Sequence, residues 1–301
     1  MTQAKSTVLI AGVTGMLGSQ IASAILDKGA MAVKALVRPA NPKAAQLEPL
    51  RQRGMTLVEG DLLDLPSLLN ACEGVEAIVS AVSGDEEMMV TGQINLIKAA
   101  AAKGVRRMIP SDYSVDYRKL DWGDNYNLDM RKKVFAALES SPLDYTLILN
   151  GCFTDILFGS FLNIFDFVAG TFNYWGDGNT PFDITTTDNT AKLIAEAIAD
   201  PAMANGVLQV AGDTISMKQL LETYQSSTGK TLRENQLGSV EDLTAWIERT
   251  KVTATSPYEY LPQQYLFTMV SGKGKLDNIT NDRYPNISLT PVRDYIQQAG
   301  V

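Results

Sequence analysis

Residues 7–18 read TVLIAGVTGMLG. A short apolar run, TVLIA, leads without a break into Gly12, Gly15 and Gly18, and a helix-like stretch from Leu17 to Lys28 follows. A strand that enters a glycine turn and leaves as a helix is how a dinucleotide-binding βαβ unit begins, and GxxGxxG is a spacing variant of its fingerprint. The turn lets backbone approach a pyrophosphate with no Cβ in the way, and the helix N-terminus offers unpaired N–H groups and a positive dipole end. Gly12, Thr14, Gly15, Met16, Leu17 and Gly18 are therefore the expected phosphate-binding residues. By itself such a pattern can also be a tight turn; its place between a first strand and an amphipathic helix argues for the cradle.

The rhythm continues downstream. Apolar runs at 7–11, 32–37, 55–60, 76–82, 107–110 and 145–149 read as buried strands. Helix-like stretches lie between them at 17–28, 66–72, 88–103 and 129–140. Alternation of this kind predicts an α/β fold, a Rossmann-type doubly wound parallel sheet covered on both faces. After about residue 150 the pattern changes. The segment 156–168 is apolar nearly all round, a polar turn-rich stretch follows, and further helices fit 216–228, 239–250 and a stretch beginning near Pro291. The predicted organisation is a nucleotide-binding domain over 1–150 and a smaller α/β C-terminal substrate lobe over 151–301, with 183–215 returning to the first domain.

The second strand selects the dinucleotide. About 20 residues past the glycines an NAD site presents an acidic residue to the ribose 2′-hydroxyl. Here the chain presents Arg38, in LVRPANPK, with Lys43 five positions on. Cations at that place suit a 2′-phosphate, so the expected cofactor is NADP(H); the alternative is two solvated loop cations. Asp61, with Leu62 beside it in EGDLLD, is placed to meet the adenine. Ser80, Ala81 and Val82, in a run ending at Ser83, fall near the nicotinamide ribose. Thr228-Gly229-Lys230-Thr231 resembles a P-loop but follows a helix and has Tyr224 where a glycine is required, so Gly229 reads as a helix C-cap.

Composition narrows the chemistry. The 301 residues carry 34 acidic against 26 basic side chains, a net charge of −8, with the basic ones scattered. That is no electrostatic footprint for nucleic acid. No apolar run is long enough to span a bilayer, and MTQAKSTVLIAGV reaches its first turn too soon for a secretory signal. Two cysteines without a CxxC pair offer neither a disulfide framework nor a cysteine metal site, and the expected setting is a reducing cytoplasm. There is no histidine, so the commonest general base is missing and no metal site is expected.

Taken together, VLIAGVTGMLG, ALVRP with the following Lys43, EGDLLD, IVSAVSG, GVRRMIPSDYSVD, DYTLILNGCF and FDITTTDNTAKLIAEAI resemble the NmrA-like, isoflavone-reductase-like group of atypical short-chain dehydrogenase/reductases. The resemblance spans roughly residues 7–215. It implies a domain binding NADPH and a C-terminal lobe closing over a small, often aromatic substrate. It also implies that Asn150, Gly151 and Phe153 border the nicotinamide.

Many short-chain reductases use a Tyr with a Lys four residues later, and this chain has no YxxxK. Isoflavone-reductase-like members place a Lys three residues before a Val at the start of the helix after the fifth strand; counting back from Val134 lands on Arg131, a departure from that pattern. Helical spacing puts 131, 134, 135 and 138 on one face, with Lys132 and Lys133 turned from its centre. Arg131, Tyr113 and Lys132 form the candidate catalytic set, although a solvated face for Lys132 and ordinary packing for Tyr113 remain open. A guanidinium titrates above about 12, so Arg131 can hold a hydroxyl or stabilise an oxyanion but is a poor proton donor. The expected function is an NADPH-dependent reductase transferring hydride to a small aromatic, quinone or carbonyl substrate, with aromatics of 153–175 and 256–267 lining its pocket. The alternatives are a non-catalytic NADP(H)-sensing regulator, which the missing Tyr–Lys pair favours, and a non-reductive isomerase or lyase. The expected state is monomer or homodimer, with neither membrane nor nucleic acid as partner.

Overall fold

A computed structural model describes residues 5–301. The predicted strands form: β1 (Thr7–Ala11), β2 (Ala32–Val37), β3 (Thr56–Glu59), β4 (Ala77–Ser80), β5 (Arg107–Ile109) and β6 (Asp144–Leu149). With the strand Gly206–Gln209 they make one seven-stranded sheet, ordered β3-β2-β1-β4-β5-β6 and then that last strand. Neighbours from β3 to β6 pair in parallel. Their continuous apolar runs follow from burial on both faces, as in Val8, Leu9 and Ile10, none of which reaches solvent. This is the Rossmann-type doubly wound fold, with its order reversing at β1.

Register explains why distant motifs meet. Ala11 stands opposite Leu36 in β2 and Ser80 in β4, and Val37 stands opposite Glu59 in β3. Gly12, Arg38, Gly60 and Ala81 therefore leave the same C-terminal edge of the sheet side by side. Ala81 N–H donates to Ala11 O at 2.8 Å and Gly60 N–H to Val37 O at 2.9 Å, fixing two of these exits.

The helices hold two surprises. The stretch predicted as one helix over 88–103 is a π-helical segment, Glu87–Gly92, running into an α-helix, Gln93–Ala102. Gly92, at its end, packs closely on Leu62: a Cβ there would lie 3.0 Å from Leu62 Cβ. The helix carrying the three cations begins at Tyr126, one turn before the predicted 129, and runs to Glu139. Asn125 sets that start, its Oδ1 accepting the Leu128 N–H at 3.0 Å.

The chain divides into two compact units. The first comprises residues 1–112, 130–148 and 190–208, and the second 113–129, 149–189 and 209–301. They are of nearly equal size, where the sequence suggests a smaller second lobe, and the stretch returning to the first is shorter than 183–215. The first unit holds the sheet and its helices. The second holds two three-stranded sheets. In one, Phe182–Thr185 runs between Cys152–Phe153 and Asp213–Ile215; in the other, Thr171–Tyr174 runs between Arg233–Gln236 and Phe165–Asp166. Helices Met217–Thr228, Val240–Thr253 and Leu261–Val270 contribute to a core built on Phe165, Phe172, Tyr224, Leu243 and Leu266. The last of these helices was not foreseen. The apolar segment 156–168 divides: Leu157, Leu162 and Ile164 are core, whereas Phe167 and Val168 stand exposed on a turn. Gly229 caps Met217–Thr228 at φ +71°, its N–H donating to Gln225 O at 2.9 Å. No helix among the described residues is long and apolar enough to cross a membrane.

Candidate functional site

In the first unit a cavity of about 420 Å³ opens at the C-terminal sheet edge. Its floor is the glycine turn. Gly12 sits at φ +86°, and a Cβ on it would lie 2.5 Å from Ala81 O. Gly18 is just as constrained: a Cβ there would fall 2.2 Å from Gly12 O, so only glycine lets the first helix, α1 (Met16–Lys28), pack against the turn that feeds it. Gly15 differs. Its φ of −83° is ordinary, and a Cβ there would meet only Gly12 O, closely at 3.3 Å. Gly15 is the N-cap of α1, with no side-chain cap and no acidic residue in the first turn. The N–H groups of Met16, Leu17 and Gly18 thus have no intrahelical acceptor, and nothing competes with an anion for them.

The rim carries charge. Arg38 and Lys43 both line the cavity and are exposed, and neither makes an ion pair among the described residues. Two cations held at one opening without an anionic partner repel each other, and an incoming phosphoryl group relieves that repulsion. Asp85 lines another part of the wall, its Oδ1 accepting the Met88 N–H at 3.0 Å. Apolar surface comes from Leu62, Val82 and Met88, enough to pack on a flat heterocycle.

Of the predicted cofactor residues, Gly12, Thr14, Gly15, Arg38, Lys43, Leu62, Ala81 and Val82 come together on this one cavity. Met16, Leu17 and Gly18 form the adjoining first turn of α1. Asp61 lies beside it and commits one oxygen, Oδ1, to the Leu63 N–H at 2.9 Å, while Gly60 and Leu62 on either side face the cavity. Ser80 is buried within β4. Asn41, Gly60, Asp85 and Met88 line the cavity without having been singled out in the sequence. Asn41 could have been noticed, standing between the two cations; Met88 is brought in by the π-helical segment, for which sequence has no signal.

The remaining candidates are described within their own units. In the first, Arg131 and Lys132 are both half-buried on the helix Tyr126–Glu139, with Val134 and Leu138 buried below them. Lys133 is exposed and pairs with Glu86 at 2.5 Å, which identifies it as a surface ion-pair partner. In the second unit Tyr113 is buried, in a loop whose Ser114 carbonyl accepts the N–H groups of Asn150 and Gly151 at 3.0 and 3.1 Å. Gly151, at φ +68°, has no room for a Cβ, which would lie 2.1 Å from Asp183 O. Phe153 is half-buried and paired with Thr185. The side chain of Asn150 is fully buried, yet neither its nitrogen nor its oxygen has a hydrogen-bond partner among the described residues. A buried amide left unpaired at both ends costs free energy, and functional sites are where such costs persist.

Both thiols are unsuited to nucleophilic work. Burial pushes Cys72 up to about 11 against the lowering effect of Lys34 and Lys103. Desolvation, with the Asp155 carboxylate nearby, pushes Cys152 up to about 12. A thiol is a nucleophile only as thiolate. The cavity can grip a phosphorylated dinucleotide, and the chain offers neither a reactive thiol nor a histidine.

Residues 4–282 match the NmrA-like family. Phenylcoumaran benzylic ether reductase IRL1 of Ginkgo biloba is 26% identical over 319 residues, 98% of this chain and 99% of the relative. Pinoresinol reductase 1 of Arabidopsis thaliana is 26% identical over 264 residues, 82% of each. Among solved structures, AtPrR2 with NADP+ and (+)pinoresinol gives a TM-score of 0.85 at 24% identity, over 98% of this chain and 99% of its own, a likeness of fold. With the family pattern running through nearly its whole length, the chain belongs to the NmrA-like family.

Proposed function

We propose that the protein is an NADPH-dependent reductase acting on a small, aromatic or quinone/carbonyl substrate. The observation that carries this reading is the pair Arg38 and Lys43, without an ion-pair partner among the described residues, on the rim of a cavity floored by the glycine turn. NADPH, when bound, supplies the hydride. The chain's own work is to hold it: first-turn amides of α1 for the pyrophosphate, Arg38 and Lys43 for the 2′-phosphate, Leu62 and Met88 for the adenine. In this reading Arg131 would hold a ribose hydroxyl or stabilise an oxyanion on the substrate, and the proton would come from Tyr113 or a bound water. Support comes also from the relatives, whose names are those of reductases, and from NADP+ in the AtPrR2 structure. The reading has the protein work in the cytoplasm, as a monomer or homodimer.

The test is NADPH oxidation, followed at the nicotinamide absorbance band, with a panel of quinones, aryl carbonyls and benzylic ethers. Turnover with at least one class is expected, and Arg131→Ala should lower kcat by on the order of tenfold or more, the cost of removing one transition-state contact. No oxidation across the panel, with NADPH bound, would instead support the second reading. That reading, a dinucleotide-sensing regulator without turnover, is favoured by the absence of a Tyr–Lys pair and by Arg131 where relatives resembling isoflavone reductase have Lys.

A further inference from the structure

After β2 the chain turns on Arg38-Pro39-Ala40-Asn41. The Asn41 N–H donates to Arg38 O at 3.2 Å, closing a β-turn with Pro39 at its second position. The third position is Ala40, at φ +53°, a left-handed conformation that a residue with a Cβ adopts at a cost. From the far side of this turn Asn41 reaches forward: its side-chain Oδ1 accepts the Lys43 N–H at 2.9 Å, and its carbonyl accepts the Ala44 N–H at 3.0 Å. One residue thus ties the backbone of Arg38 on one side to that of Lys43 on the other. It lines the same cavity as both cations.

The consequence is electrostatic. Arg38 and Lys43 are long, exposed side chains on a loop with two prolines, and nothing else among the described residues pairs with either. Lys43 also begins the short 3-10 turn Ala44–Leu47 without a side-chain cap. Two like charges on an unorganised loop separate. With the Lys43 amide bound to Asn41 Oδ1 and the Arg38 carbonyl bound to the Asn41 amide, the two side chains leave from fixed points five residues apart on one rim.

We propose that Asn41 is the positioning residue of this clamp, fixing the Arg38 and Lys43 backbones so that both cations meet a single phosphoryl group on the ribose of NADPH. The proposal rests on the NADPH reading above. It assigns preference for the phosphorylated coenzyme to an uncharged residue that acts through its two neighbours.

The experiment is calorimetric titration of the full chain with NADPH and with NADH at one ionic strength, for wild type, Asn41→Ala and Asn41→Ser. Serine can accept the same N–H two residues on, less strongly. Wild type should prefer NADPH. Asn41→Ala should lower the NADPH-to-NADH affinity ratio by about fivefold, the effect of one organising hydrogen bond, through weaker NADPH binding alone. Asn41→Ser should recover to within about twofold of wild type, and all three should unfold at the same temperature. An unchanged ratio in Asn41→Ala, equal losses for both coenzymes, or a serine variant no better than alanine would each overturn the proposal while leaving the NADPH reading in place. A wild type with no preference would overturn that reading, and the clamp with it.

Discussion

Alanine at Gly15 and alanine at Gly18 should have opposite consequences, although the two glycines belong to one motif. At Gly18 the added Cβ would lie 2.2 Å from Gly12 O and 2.8 Å from Gly12 C, both backbone atoms that no rotamer change can move. Relief requires shifting the start of α1 off the sheet, an overpacking cost of about 3 kcal/mol. For a chain of this size that is a fall of roughly 5 °C in Tm. At Gly15 the backbone, φ −83° and ψ 163°, suits any residue, and the Cβ meets only Gly12 O at 3.3 Å. Alanine is a poorer N-cap than glycine by a few tenths of a kcal/mol to about 1, and it narrows the unfolded ensemble by a similar amount. The two nearly cancel, so Tm should stay within about 3 °C. Gly15 nonetheless lines the cavity, and an added methyl group would crowd the α1 amides that the pyrophosphate must approach. NADPH affinity should fall on the order of tenfold to a hundredfold, about 1.4 to 2.7 kcal/mol. Thermal unfolding without nucleotide and fluorescence titration with NADPH read the two effects separately. A Gly15→Ala variant that binds NADPH like wild type, or a Gly18→Ala variant as stable as wild type, would refute the reasoning.

Three further outcomes are expected. Replacing Arg38 and Lys43 together by alanine should weaken NADPH at least about tenfold and leave NADH nearly unchanged, with the difference shrinking as salt is raised; equal losses for both coenzymes would contradict the assignment. Arg107, only 2% exposed, donates to the carbonyls of Ile198 and Asp200 at the end of the helix Thr187–Ala199, so Arg107→Met should cost on the order of 3 kcal/mol, visible as a lower denaturant midpoint without loss of coenzyme preference. The thiols Cys72 and Cys152, raised to about 11 and about 12 from an ordinary 9.0, should resist alkylation of the native protein at pH 8 and react once it is unfolded. Because the folded state holds these protons more tightly, their contribution to stability is complete below pH 9 and is lost as pH rises from 9 toward 12, so denaturant midpoints should fall over that window.

The parts that could be read from sequence are those in which local pattern and burial agree. β1 and β2 appear with the predicted ends because TVLIA and AVKALV are buried runs closed by turn residues. The glycine turn was legible because two of its three glycines are sterically obligatory. Elsewhere tertiary partners decide. Arg233–Gln236, RENQ, carries no strand signal and is a strand only because it pairs with Thr171–Tyr174. The helix Leu261–Val270 begins with Pro262 in its first turn, which reads as a break when no cap is visible. The π-helical segment Glu87–Gly92, which carries Met88 at the cavity wall, has no sequence pattern of its own. Asn41 stands between two cations in the sequence, but its hydrogen bonds to either side are not visible in composition. Arg131 and Lys132 are both half-buried on the helix that buries Val134 and Leu138, and helical spacing carries no information about what a half-buried cation meets.

The central claim is that the cavity at the C-terminal ends of β1, β2 and β4 selects a dinucleotide bearing a 2′-phosphate. Titrating the wild-type protein with NADPH and NADH in parallel, at low and at high salt, addresses it directly. NADPH should bind at least about tenfold more tightly at low salt, with the advantage diminishing as ionic strength rises. Equal affinities at both salt concentrations, or no detectable binding of either coenzyme, would contradict the account.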